Sequence, residues 1–189
     1  MFYWLVDRGL EPPSVEALGS LPIRAKSTKA LVTRLREQVG KNFALRHLNL
    51  ALRQPRKDVS QEVSDIVLEL YERTFASRLQ AAALERSAIE IPELFGLFFM
   101  GVRRALLAQL TDYIAARVES GHFALVTHPA TAARFVLESV TFFARHRFND
   151  PDLSPGDDDA VRRTVVELLV RSLVGKPMPH KPRRSRVRH

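Results

Sequence analysis

The sequence predicts an all-α bundle of about five to seven helices. Three observations predict it. Apolar residues recur at three- and four-residue spacing in each long segment, no stretch alternates apolar and polar in the manner of a half-buried strand, and prolines fall between the periodic segments. With 189 residues and 46% hydrophobic content, the chain is long enough to bury a sizeable core in one compact domain.

Pro12, Pro13, Gly19 and Pro22 mark residues 11–27 as a loop, after an apolar start at Phe2, Tyr3, Trp4, Leu5 and Val6 that needs a partner surface. Leu31, Leu35, Val39 and Phe43, continued by Leu45, Leu48 and Leu52, predict a helix from about Thr28 to Leu52, and Pro55 stops it. Asp58 and Gln61 have capping-box spacing at the head of a run without Gly or Pro that reaches Ile91. Val63, Ile66, Val67, Leu70, Tyr71, Phe75 and Leu79 share one face of that helix. Pro92 suits the first turn of the next helix, Glu93 faces the positive end of its dipole, and Gly121 is placed to end it. The first half of this helix, from Leu94 to Val102, is apolar around most of its circumference, which predicts burial in the middle of the bundle.

Two further helices close the chain. One runs from about Ala130 to Arg147, after Pro129, with Phe135, Val136, Ser139, Val140 and Phe143 on its apolar side. A turn rich in Pro, Asp and Gly leads to the other, from Asp157 to Val174, with Val161, Val165, Leu168, Leu169 and Leu173. A helical hairpin of this kind suits self-association.

The formal net charge of +8 is unevenly placed. Six of the 29 Lys and Arg residues lie after Val174, in a stretch with no acidic residue, so the other 23 face 21 acids and leave +2 on residues 1–174. The body is therefore nearly neutral, and residues 176–189 are expected to be a disordered basic tail, able at most to add weak phosphate attraction. No cysteine is present, which excludes a disulfide framework and thiolate chemistry. The run from Ile89 to Leu110 is interrupted by Glu90, Glu93, Arg103 and Arg104, so no membrane span is expected, and the chain reads as soluble and cytoplasmic.

Catalytic signatures are missing from the sequence. His47, His122, His128, His146, His180 and His189 form no ligand or catalytic spacing. Gly96 to Gly101 has a phosphate-loop spacing but continues into Val102 and Arg103, and no Gly-x-Ser-x-Gly occurs. We expect no enzyme activity, no metal and no cofactor. Gly96 and Gly101 leave two readings open: tight helix packing, or an internal cavity beside the bulky residues around them. In the second, Phe95, Phe98, Phe99 and Met100 line an effector pocket with Tyr71 and Phe75 from the preceding helix, and the effector is largely apolar because few charges face it.

In wording as well as pattern, FVLESVTFFARHRFNDPDL followed by VVELLVRSLVG resembles the last two helices of TetR-family transcriptional regulators. From about Lys29 to Gly175 the order of helices is also similar, although only the terminal hairpin is specific. The resemblance implies a homodimer held by a four-helix interface, with Phe135, Val136, Val140, Phe143, Val165, Leu169 and Leu173 in it. It also implies a central effector pocket. Met1 to Pro13 looks like the linker helix that follows the family's recognition helix. On this reading residues 1–27 are a truncated linker helix and loop, residues 28–175 a sensor and dimerisation domain, and DNA binding depends on a helix-turn-helix that the chain does not contain. The alternative is a stand-alone helical interaction protein that forms heterodimers with full-length regulators.

Overall fold

A computed structural model describes residues 33, 44–90, 92–124, 126–151 and 157–175 of the chain. The expected linker helix and loop, most of the helix expected from Thr28, and the basic tail lie outside the described residues. Among those described, the structure is all-helical and contains no strand. The elements are α1 (Arg46–Arg53), α2 (Val59–Ala76), α3 (Arg78–Glu90) and α4 (Pro92–Phe95), then a π-helical stretch π1 (Gly96–Arg103) that runs directly into α5 (Arg104–Glu119). After these come α6 (Pro129–Ala144), a short 3-10 turn (His146–Asn149) and α7 (Asp158–Val174).

Helix α2 is the axis of the bundle, with α1, α6 and α7 packed around it and α5 laid along α6 and α1. Its buried face carries Val59, Val63, Ile66, Val67, Leu70 and Tyr71, at the three- and four-residue spacing the sequence displays. From the other helices Leu48, Leu110, Ile114, Val136, Val140, Val165 and Leu169 complete one continuous core. Burial of each such side chain contributes about 1.5–3 kcal/mol.

The helix ends follow local chemistry. Asp58 caps α2 by accepting a hydrogen bond from the Gln61 N–H at 3.0 Å. His128 caps α6 through Nδ1, which accepts from the Thr131 N–H at 3.2 Å, with Pro129 in the first turn. Asp157 caps α7, with Asp158 and Asp159 beside the positive end of its dipole. Gly121, at φ 77°, ends α5: its N–H reaches Val118 O and the His122 N–H reaches Arg117 O, the paired bonds of a Schellman turn. The chain then drops Phe123 into the core, edge-on to Tyr113 at 5.9 Å.

The helix expected from Asp58 to Ile91 is divided at Ser77. Thr74 Oγ1 donates to Leu70 O, Ser77 Oγ to Arg73 O, and the Arg78 guanidinium to Phe75 O. Side-chain hydroxyls that bond back into the helix weaken its regular ladder and bend it. Arg78 also lies over the Phe75 ring at 4.3 Å, and Phe75 packs against Phe148 at 5.8 Å.

The glycines of π1 lie in open surroundings. Gly96 and Gly101 are exposed, a Cβ added at Gly96 would meet nothing within 4 Å, and one at Gly101 only Gly96 O at 3.7 Å. Among the described residues no other helix approaches either glycine closely. Met100 is about half exposed, so the apolar turn is not enclosed on every side.

Candidate functional site

Two concave features stand out. The first is a cavity of about 60 Å³ where α3 lies over the body of the bundle. Leu70 and Thr74 of α2, Ser77, and Ala81 and Glu85 of α3 form one side of it. Val102 and Arg103 of π1, Leu106 of α5, Leu137 and Thr141 of α6, and Arg145 form the other.

The charged groups of this cavity sit in ion pairs. The Arg145 side chain is 9% exposed, and one of its terminal nitrogens donates to Glu85 Oε1 at 2.6 Å. The same nitrogen lies 2.9 Å from His146 Nε2, while Arg145 Nε is buried without a hydrogen-bond partner. Burial first, and the adjacent Arg145 guanidinium second, lower the pKa of His146 below its ordinary 6.5, against the opposing pull of Glu85 and Glu138. The ring is therefore neutral at pH 7. Arg103 pairs with Glu138, whose side chain is largely on the solvent side.

The second feature is an apolar trough of about 660 Å³ between α6 and α7. Phe135, Ser139 and Phe143 follow one another at four-residue spacing along α6, and Val161, Thr164, Val165, Leu168, Leu169 and Ser172 form a continuous helical stripe on α7. Phe135 and Leu168 are more than half exposed, at 55% and 59%. Val165 and Leu169 form its floor, being buried within the subunit itself. Along the same two helices Arg134 faces Glu138 and Arg171 faces Glu167.

Of the seven residues expected in the interface, Phe135, Phe143, Val165 and Leu169 line this trough, whereas Val136, Val140 and Leu173 are buried in the core of the subunit and do not. Leu168 belongs to the trough and was absent from that set, although its place in the α7 stripe is legible from spacing. Among the six expected pocket residues, the side chains of Phe95, Phe98 and Phe99 lie outside the described residues. Tyr71, Phe75 and Met100 do not line the cavity. Tyr71 is instead a core residue whose hydroxyl donates to Phe143 O at 3.3 Å, and burial pushes its pKa up. The cavity residues Glu85 and Arg145 are far apart in sequence, in no motif, and nothing in their spacing announces them.

A third cluster is buried in the core. Glu62 and Arg117 are both buried, and Arg117 donates to Glu62 Oε1 through Nε at 2.8 Å and a terminal nitrogen at 2.6 Å. The Tyr113 hydroxyl donates to the same oxygen at 2.9 Å, and the Arg56 N–H to Oε2 at 2.8 Å. Burial first and Glu62 second raise the Tyr113 pKa, so the phenol stays a donor. This network ties α5 to α2.

Among the described residues no group of His, Asp and Glu is arranged to hold a metal ion, and no helix is long and apolar enough to cross a membrane. No family model, no curated protein and no solved structure matches this chain.

Proposed function

We propose that the chain is the effector-sensing and dimerisation core of a TetR-like transcriptional regulator, whose DNA binding depends on a helix-turn-helix outside this chain. The observation that supports this most is the trough between α6 and α7. Phe135, Phe143 and Leu168 stand exposed beside the small side chains of Ser139, Ala160, Thr164 and Ser172. Bulky and small positions on one face allow two copies, related by a two-fold axis, to fill each other's gaps. The product is a four-helix interface with an apolar centre and a charged rim, the usual anatomy of a homodimer contact. An effector that alters the packing of α3, π1 and α5 would act on the same bundle that presents the interface, which is the coupling a sensor needs.

The trough also supplies a clean test. Leu168→Glu places a charge on the exposed side of α7, whereas Leu169→Glu buries one inside the subunit. Light scattering at micromolar concentration should report a dimer for the unmodified chain. Leu168→Glu should give a folded monomer with an unchanged helical circular dichroism spectrum, and Leu169→Glu should lose the fold. A monomeric unmodified chain would remove the dimerisation half of the proposal.

A further inference from the structure

We infer that the cavity beneath α3 binds a small carboxylate with a short apolar tail, held by Arg145 in the position that Glu85 now occupies. The inference deepens the sensor half of the proposed function and rests on it only for the biological use of the site.

The shape and chemistry of the cavity carry the argument. Its wall combines apolar side chains, Leu70, Ala81, Leu106 and Leu137, with a charged end. That end carries Arg103, paired with Glu138, and Arg145, which meets Glu85 through one terminal nitrogen while its buried Nε has no hydrogen-bond partner. His146, neutral beside Arg145, adds no anion and no competing cation. A carboxylate with two oxygens can answer the unpartnered Nε as well as the terminal nitrogen that Glu85 meets with one oxygen, and an apolar tail is what the remaining wall accepts. At about 60 Å³ the space holds roughly four to six water-sized groups, which limits the tail to a few carbons in this conformation.

The Arg145 guanidinium is deeply buried, and Glu85 reaches it from α3. Helix α3 packs chiefly on α4 and only lightly on α2, and its buried residues Ala81 and Leu84 stand apart from the continuous core. The Glu85–Arg145 pair thus spans the cavity and fastens α3 over it. A carboxylate entering the cavity is chemically equivalent to the Glu85 side chain. It takes over the hydrogen bonds to the guanidinium, which is built to hold carboxylates, and frees α3 from its tie. Glu85 is in this sense an internal competitor for the ligand.

Competition of this kind has a distinctive signature. A like charge within about 4–6 Å opposes an incoming anion by about one to three powers of ten. Titration calorimetry with butanoate should therefore show binding that tightens about tenfold or more in Glu85→Gln, even though that variant loses an ion pair. Butan-1-ol, with the same tail and no charge, should bind at least about tenfold more weakly than butanoate to the unmodified chain and gain nothing from Glu85→Gln. Arg145→Met should abolish the preference for the acid over the alcohol. Ala81→Leu, which fills the cavity, should block both. If Arg145→Met does not fold, the response of Glu85→Gln decides alone.

Butanoate affinity that is unchanged or weaker in Glu85→Gln overturns the inference, as does undiminished binding to Ala81→Leu. Equal binding of acid and alcohol overturns the carboxylate assignment while leaving a ligand-binding cavity, and so leaves the sensor reading standing. Failure of butanoate to bind also overturns the inference. The state of assembly measured on Leu168→Glu is unaffected by any of these results, so failure of the dimerisation reading is detected separately.

Discussion

Glu62 gives up hydration on entering the core and receives four hydrogen bonds in return, from Tyr113, twice from Arg117 and from the Arg56 backbone. A carboxylate so placed is tolerated because its lone pairs are answered and a cation lies within hydrogen-bond distance. Removing one partner is a different matter from never having built the pair. Arg117→Met should leave the Glu62 charge buried and lower the stability by about 3–5 kcal/mol, read as a shift of the urea midpoint. The double variant Glu62→Leu with Arg117→Met should recover much of that loss, because an apolar pair of similar size leaves no unpaired charge. A single variant as stable as the unmodified chain would show that Glu62 is not charged in the core.

At the scale of elements, α1 shows how one helix can complete another. Leu45 precedes it without a side-chain cap, and the first amides are instead met by Glu69 of α2, which accepts from the Arg46 N–H at 2.9 Å and the His47 N–H at 2.8 Å. A carboxylate at this position satisfies orphan donors and faces the positive end of the helix dipole. Burial alone would push Glu69 up, but the two amides and Arg73 outweigh it and hold the carboxyl below its ordinary 4.5. Its contribution is therefore fully present above pH 4.5 and lost as the pH falls through the lowered native value. Glu69→Gln should cost about 1 kcal/mol at neutral pH, as loss of a helix cap does. It should also flatten the acid limb of stability against pH below about 4.5, a difference that chemical denaturation at pH 7 and pH 3 would show. An equal acid dependence in both proteins would mean that Glu69 does not cap α1.

For the whole molecule, association and folding are linked if the trough is the dimer face, because a partner that binds only the native chain stabilises it by mass action. The melting temperature should then rise by several degrees over a hundredfold increase in protein concentration. Leu168→Glu should melt at a temperature independent of concentration. A concentration-independent midpoint for the unmodified chain, measured where light scattering reports dissociation, would refute the linkage.

The sequence by itself determined the all-helical class, the faces of α2, α6 and α7, and the caps at Asp58 and Gly121. Each of these is local: helical spacing places side chains on one face within two turns, and a cap needs only neighbours along the chain. It did not reveal the division at Ser77, because hydroxyl groups bonding back to Leu70 O and Arg73 O break a run that contains neither Gly nor Pro. The terminal hairpin was legible as apolar, but which part of each apolar face turns inward was not. Val136 and Val140 are as apolar as Phe135 and Phe143 but stand at another angle around α6, and it is the packing of α2 and α5 against that helix that covers the first pair and leaves the second exposed. The cavity was beyond sequence reasoning for a related reason. Glu85 and Arg145 meet only because the fold brings α3 beside the end of α6, and an ion pair between distant segments leaves no periodic trace in the chain. Spacing along the chain decides which face of a helix is apolar, whereas the tertiary structure alone decides what that face meets.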